Sequence, residues 1–226
     1  MAISATSRVD RPAISLEPPL GILGAVAAGL FVAGLVISTV QAGGSPFPSP
    51  FGDAGEALEY FRDHAAAVRT GAVLQFASAI PLALYVAGAA ARVRRFAAGF
   101  APALAAVGGT LAVGFLILSG VVSWVLTVPE VVTEPAVVRA LHTLAFLCGG
   151  PGNVMSTGLL IAGLALAALP QRRLAPWLLG VGLVIAVVAM CTTAALTVTA
   201  AAFLLPVARF GGMAWLIAVG FLLPRS

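Results

Sequence analysis

Long apolar runs separated by short polar ones organise this chain. The pattern predicts six membrane-crossing helices, at about 20–40, 71–91, 100–126, 136–169, 177–199 and 207–223. Several of these runs hold 18 or more residues without a charge, which is the signature of a transmembrane helix. The polar intervals differ from one another. Residues 42–52, AGGSPFPSPFG, carry prolines at alternate positions and predict an extended strap, with Phe47 and Phe51 placed to dip into the headgroup region. Residues 53–70 read as an amphipathic helix. Asp53 followed by Glu56 is a helix-start pair, and Leu58, Phe61, Ala65 and Val68 recur on one face.

The fourth apolar run departs from the rest. Residues 136–169 would make a helix of about 50 Å if unbroken, against a hydrocarbon core of about 30 Å. It contains Gly149-Gly150-Pro151-Gly152-Asn153. Pro151 lacks an N–H and its ring clashes with the carbonyl four residues back, so the run is expected as two helical pieces joined at 149–153. Irregular backbone at membrane depth survives only against protein or a wet cavity, which makes the joint a candidate site. On the first span, Ala25, Gly29 and Ala33 form a small-residue stripe that lets another helix approach.

Composition confirms the class. Hydrophobic residues make up 61% of the chain and charged residues 9%, against about 25% charged in soluble domains. The expected fold is therefore all-α: an integral membrane bundle of six transmembrane helices, one outer amphipathic helix and a broken fourth helix. Residues 1–19 are a polar tail and 20–226 a single transmembrane domain. The first span is too long for a usual cleaved signal and reads as a signal anchor.

The net charge of +4 comes entirely from arginine. Such a balance can point to nucleic acid, but these arginines sit at span ends, where they set topology. With the N-terminus inside, Arg8, Arg11, Arg92, Arg94, Arg95, Arg172, Arg173 and Arg225 fall on the inner side, and Arg62, Arg69, Arg139 and Arg209 on the outer. That bias places both termini in the cytoplasm. Cys148 and Cys191 lie in apolar runs and read as small buried hydrophobes. A faint parallel repeat relates 53–126 to 136–199, with a histidine about thirty residues before an arginine turn in each.

Three sets of residues carry candidate chemistry. His64 and His142, both near the outer face, could ligate haem or a metal. Such ligands normally come with further polar support, so interfacial histidines bonded to water or backbone are the plainer reading. Arg139, His142 and Arg209 could form a basic outer pocket facing Glu130, Glu134 or the acidic helix, either as an ion-pair lid or as a catcher of an anionic head group. The joint at 149–153, including Gly150 and Asn153, could coordinate a ligand with Gln75 or Thr157 as neighbours. The spans contain no Asp, Glu or Lys, and there is no Walker loop, HExxH or GxSxG motif. Coupled transport and hydrolysis are both disfavoured.

The FPSPFGDAGEALEYFRDH strap and helix, the LQFASAIPLALY span, the RALHTLAFLCGGPGNV break and the ending AAFLLPVARFGGMAWLIAVGFLLPRS resemble a family of uncharacterised actinobacterial six-span membrane proteins, a domain-of-unknown-function class. The resemblance implies an inner-membrane location and supplies no catalytic residues. The resulting expectation is a protein that is not an enzyme and that binds a lipid, a small amphiphile or a membrane partner at its outer face. Facilitative transport through the broken helix is the alternative, and a haem-binding redox subunit is a weaker third. No cofactor is expected otherwise.

Overall fold

The computed structural model describes residues 18–170 and 172–224. Most of the expected tail, and Arg225, lie outside them. The described chain is helical: α1 (Leu20–Gln41), α2 (Ala54–Asp63), α3 (Ala65–Arg94), α4 (Phe100–Val125), α5 (Pro135–Leu147), α6 (Asn153–Ala168), α7 (Pro176–Cys191) and α8 (Leu204–Leu222). Six segments are long and apolar enough to cross a membrane, with α5 and α6 forming one of them. The chain is thus a helical membrane bundle.

The six segments close into a ring of contacts in which α1 packs on α3, α3 on α4, α4 on α6, α6 on α7, α7 on α8, and α8 back on α1. The α5–α6 segment is the most buried member of the ring: 72% of its apolar window is buried, against 33–44% for the other five. Glycines let it sit there. A Cβ on Gly108 of α4 would come within 2.5 Å of the Leu160 backbone nitrogen, and one on Gly163 of α6 would run into the backbone of Ala105. Small residues at helix seams allow this approach, which the membrane interior favours because dispersion contacts replace hydrophobic driving force there. Polar side chains tie the ring. Tyr85 Oη donates to the Leu216 carbonyl (2.8 Å), Trp215 Nε1 to Leu178 (2.8 Å), and Arg92 to Leu223 and Pro18 (both 3.2 Å). Outward-facing Val, Leu, Ile and Phe side chains cover the bundle wall.

Several boundaries differ from the sequence-based expectation. The amphipathic helix is shorter than 53–70. It starts as expected, with Asp53 accepting from Gly55 N (2.7 Å) and Glu56 N (3.0 Å), but ends at Asp63. The chain turns at His64, and the alanines of 65–67 begin α3 instead, burying Ala67 and Val68. Further along the chain α7 stops at Cys191. Thr192 and Thr193 bond back to Ala189 and Met190, so their hydroxyls compete with the helix ladder. Two short 3-10 turns, Thr192–Leu196 and Thr199–Phe203, then lead into α8. The connection expected at 200–206 is therefore largely helical. Cys191 is exposed on the outward face of α7, contrary to the buried position expected, whereas Cys148 is buried.

The stripe of Ala25, Gly29 and Ala33 does not make the internal contacts of α1. Nothing lies within 4 Å of a Cβ built on Gly29. The packed face is instead Gly21, Gly24, Ala27, Phe31 and Gly34, which combines glycines for close approach with one large ring to bury.

Candidate functional site

The fourth segment is interrupted where the sequence predicts. The interruption is a single π-helical turn, Cys148–Gly152, and the chain stays helical through it. Pro151 cannot donate, and a wider turn relieves its clash with the carbonyl behind it. The Asn153 N–H, which an α-helix would aim at Gly149, reaches Cys148 and Gly150 instead. The Gly149 carbonyl accepts a hydrogen bond from the Arg209 guanidinium of α8. This contact joins two of the candidate elements, the broken helix and Arg209.

Beside it lies a cavity of about 510 Å³, within the 300–1,000 Å³ range of small-ligand sites. Each wall is one helix face read at a spacing of three or four: Phe31, Gly34 and Ser38 from α1; Val68, Ala72 and Gln75 from α3; Ser119 and Ser123 from α4; His142, Ala145 and Gly149 from the broken segment; Leu205 and Arg209 from α8. The space exists because so many of these residues are Gly, Ala or Ser. Leu35 and Phe210 also line it while remaining 43% and 46% exposed on the outer wall. The cavity therefore opens sideways between α1 and α8.

Arg209 is the only charged group on this wall. Its guanidinium lies over the Phe31 ring, 5.0 Å from the centroid, and donates to Gly149. All eight acidic residues of the chain fall outside the six spans, and among the described residues no carboxylate meets it. A guanidinium has five N–H donors, and among the described residues the bond to the Gly149 carbonyl is its hydrogen bond to protein. Gln75 Nε2 is engaged only by a long contact to Leu116 O (3.5 Å), and Ser119 Oγ donates to Ala145 O (2.9 Å).

The strap closes the end of the cavity. Pro46, Phe47 and Pro48 line it. Phe47 packs edge-on against Tyr60, Phe61 and His142, and Phe51 against Phe146, while both rings stay 42% and 47% exposed. Burial there raises the Tyr60 phenol above its ordinary pKa, so it stays neutral.

The other sequence-derived candidates separate. His142 is buried; its Nε2 donates to the Pro48 carbonyl at 3.1 Å, which fixes the proton on that nitrogen. His64 turns the chain between α2 and α3, with its ring edge-on to Tyr60 at 5.0 Å, and does not line the cavity. Among the described residues no group of three or more His, Cys, Asp or Glu could hold a metal. Arg139 is exposed in a shallow cleft with Ser49 and Asp53, away from Arg209. The expected lid of ion pairs takes another form: Arg62 donates to Val132 O (2.9 Å) and Arg69 to Thr127 (3.2 Å), so arginines tie the loops through backbone and hydroxyl oxygens. Gly150 lines the large cavity. Asn153 lies deeper, its Nδ2 bonded to Ala112 O (2.8 Å). Sequence reasoning missed Phe31, Ser38 and Ser119. Their signal was weak: Gly34 with Ser38, and Ser119 with Ser123, are small or polar pairs four apart.

Comparison with known protein families, with curated proteins and with solved structures finds no match to this chain.

Proposed function

We propose that this membrane protein is a non-enzymatic binder of an amphiphile whose anionic head group sits against Arg209. The observation that carries this reading is a guanidinium that among the described residues meets no carboxylate, on the wall of a mostly apolar cavity that opens sideways between α1 and α8. A charge in the membrane interior is costly and ordinarily marks a ligand or ion pathway. The side opening suits a molecule whose tail stays among lipid chains while its head enters. Gln75, Ser38 and the Gly149–Gly150 turn supply neutral polar contacts around the head, and His142 holds the strap over the end. By the arginine distribution, both termini lie in the cytoplasm and the strap faces outward.

The test is lipid retention by purified protein in mild detergent, read by native mass spectrometry, with binding of phosphatidylglycerol then titrated by fluorescence. A charge-assisted hydrogen bond is worth about 1.5–3 kcal/mol, so Arg209→Met is expected to weaken phosphatidylglycerol binding about ten- to hundredfold. Arg209→Lys should retain part of it. Equal affinity in wild type and Arg209→Met would end this reading.

A further inference from the structure

At the end of the bundle away from the strap, the α3–α4 turn after Arg94 and the α6–α7 turn after Ala168 meet. Leu174 of the second is buried in the main core, Phe96, Ala97 and Ala101 pack against that core, and the Arg173 guanidinium lies over the Phe96 ring, 5.4 Å from its centroid. The two turns carry Arg94, Arg95, Arg172 and Arg173, all exposed. The described acidic residues, at 53–63 and 130–134, sit in the connections at the opposite end. Residues 1–17, outside the described ones, add Arg8 and Arg11 against Asp10 and Glu17, so they leave the sign of this face unchanged. Phe100 and Trp177, at the starts of α4 and α7, flank the turns and are exposed.

Arg172 sets this face apart. After α6 the chain closes with the Arg172 N–H on the Leu169 carbonyl (3.3 Å) and the Arg173 N–H on the Ala168 carbonyl (3.2 Å). That pair of bonds is the helix ending in which one residue turns left-handed, and glycine ordinarily fills the place because a Cβ is penalised there. Here the residue is Arg172, with φ 49°; among the described residues it alone of the non-glycines has a positive φ. Backbone strain of this kind clusters at functional sites. Setting topology requires only a count of positive charge near the span ends, and Arg173 and its neighbours supply it without that strain.

We infer that this face binds the phosphate of an anionic phospholipid in the adjoining leaflet, held by the arginines of the two turns. The site is separate from the cavity at Arg209 and does not depend on that reading. A guanidinium can meet two phosphate oxygens through parallel N–H donors. Basic clusters where helices emerge from the membrane suit such head groups. The flanking rings favour a lipid over free phosphate. Exposed aromatic side chains at span ends anchor at head-group level, so Phe100 and Trp177 leave acyl chains lying along α4 and α7 beneath the phosphate.

The experiment counts lipids on the full chain by native mass spectrometry in mild detergent, with phosphatidylglycerol, phosphatidylcholine or inorganic phosphate added, and follows melting of the same samples by circular dichroism. Phosphatidylglycerol is expected to bind and to raise the melting temperature, and phosphatidylcholine to do neither. Arg172→Gly should move two readouts in opposite directions. It relieves the left-handed backbone, so the lipid-free variant melts above wild type, while phosphatidylglycerol binds severalfold more weakly. Arg94→Gln, which leaves the α6–α7 turn untouched, should also weaken binding severalfold. Combining Arg172→Gly with Arg209→Met should remove more lipid than either change alone. Wild-type affinity in both Arg172→Gly and Arg94→Gln would overturn this site, whatever Arg209→Met does at the cavity. Lipid-free Arg172→Gly that melts below wild type would overturn the argument from strain, since the arginine would then be a structural tie. Retention of phosphatidylcholine as strong as that of phosphatidylglycerol would overturn the assignment to an anionic head group. Displacement of the lipid by inorganic phosphate would overturn the preference for lipid.

Discussion

Substituting Gly163 with valine tests the α4–α6 seam on which the whole arrangement hangs. A Cβ at Gly163 would fall on the Ala105 backbone nitrogen, 2.7 Å from the Ala105 Cα and 2.8 Å from the Ala101 carbonyl oxygen. All three neighbours are backbone, so no side chain can rotate away. Ordinary contact for such an atom begins near 3.4 Å, so the helices must part by roughly 0.5–1 Å or more. A gap of that size forfeits about a quarter to a half of each dispersion contact it opens. Because Gly108 holds the same seam tight against Leu160, the loss spreads along it. Overpacking of a buried site costs about 1–3 kcal/mol and occasionally more, and this site belongs at the upper end. About 3 kcal/mol is roughly a hundredfold shift toward the unfolded state. The assay is thermal unfolding in detergent followed by far-ultraviolet circular dichroism, with Gly29→Val as the control, since nothing lies within 4 Å of a Cβ there. Gly163→Val should melt well below wild type and Gly29→Val close to it. Equal melting of the two variants would refute the seam.

Ser156 is fully buried, and among the described residues its hydroxyl has no partner. Ser156→Ala removes an unsatisfied group that costs about 1–3 kcal/mol, so the variant is expected to melt above wild type, and a lowered melting temperature would point to a partner for that hydroxyl. Asp53→Ala removes the cap that accepts from Gly55 and Glu56, at about 1 kcal/mol. Hydrogen exchange should quicken in Ala54–Asp63 and not in α4, and uniform quickening would argue that α2 is coupled to the whole bundle.

Much of this architecture was legible from residue order alone. Six apolar runs place six spans, Asp53 and Glu56 start α2, and the Gly-Gly-Pro-Gly run marks the interruption. What escaped is rotation about helix axes. Successive helical residues point about 100° apart, so periodicity names a face without saying which neighbour it meets. That is why Ala25, Gly29 and Ala33 looked like a packing face while Gly21, Gly24 and Phe31 make the contact. It is also why Arg139 and Arg209, both basic and both near one end, turn out to serve different clefts. The cavity was invisible for the same reason, since it is the place where small residues from several helices happen to converge.

Arg92 bonds the carbonyl that precedes α1 and the one that follows α8, so the beginning and the end of the bundle meet at one guanidinium. A chain inserted into the bilayer as it is synthesised makes its first helix long before its last. Until α8 emerges, the edge of α1 that meets it has only lipid for company, and Arg92 waits for its Leu223 acceptor. The ring therefore closes only when α8 packs back on α1, and a chain halted before residue 204 lacks both that contact and the Leu223 acceptor of Arg92.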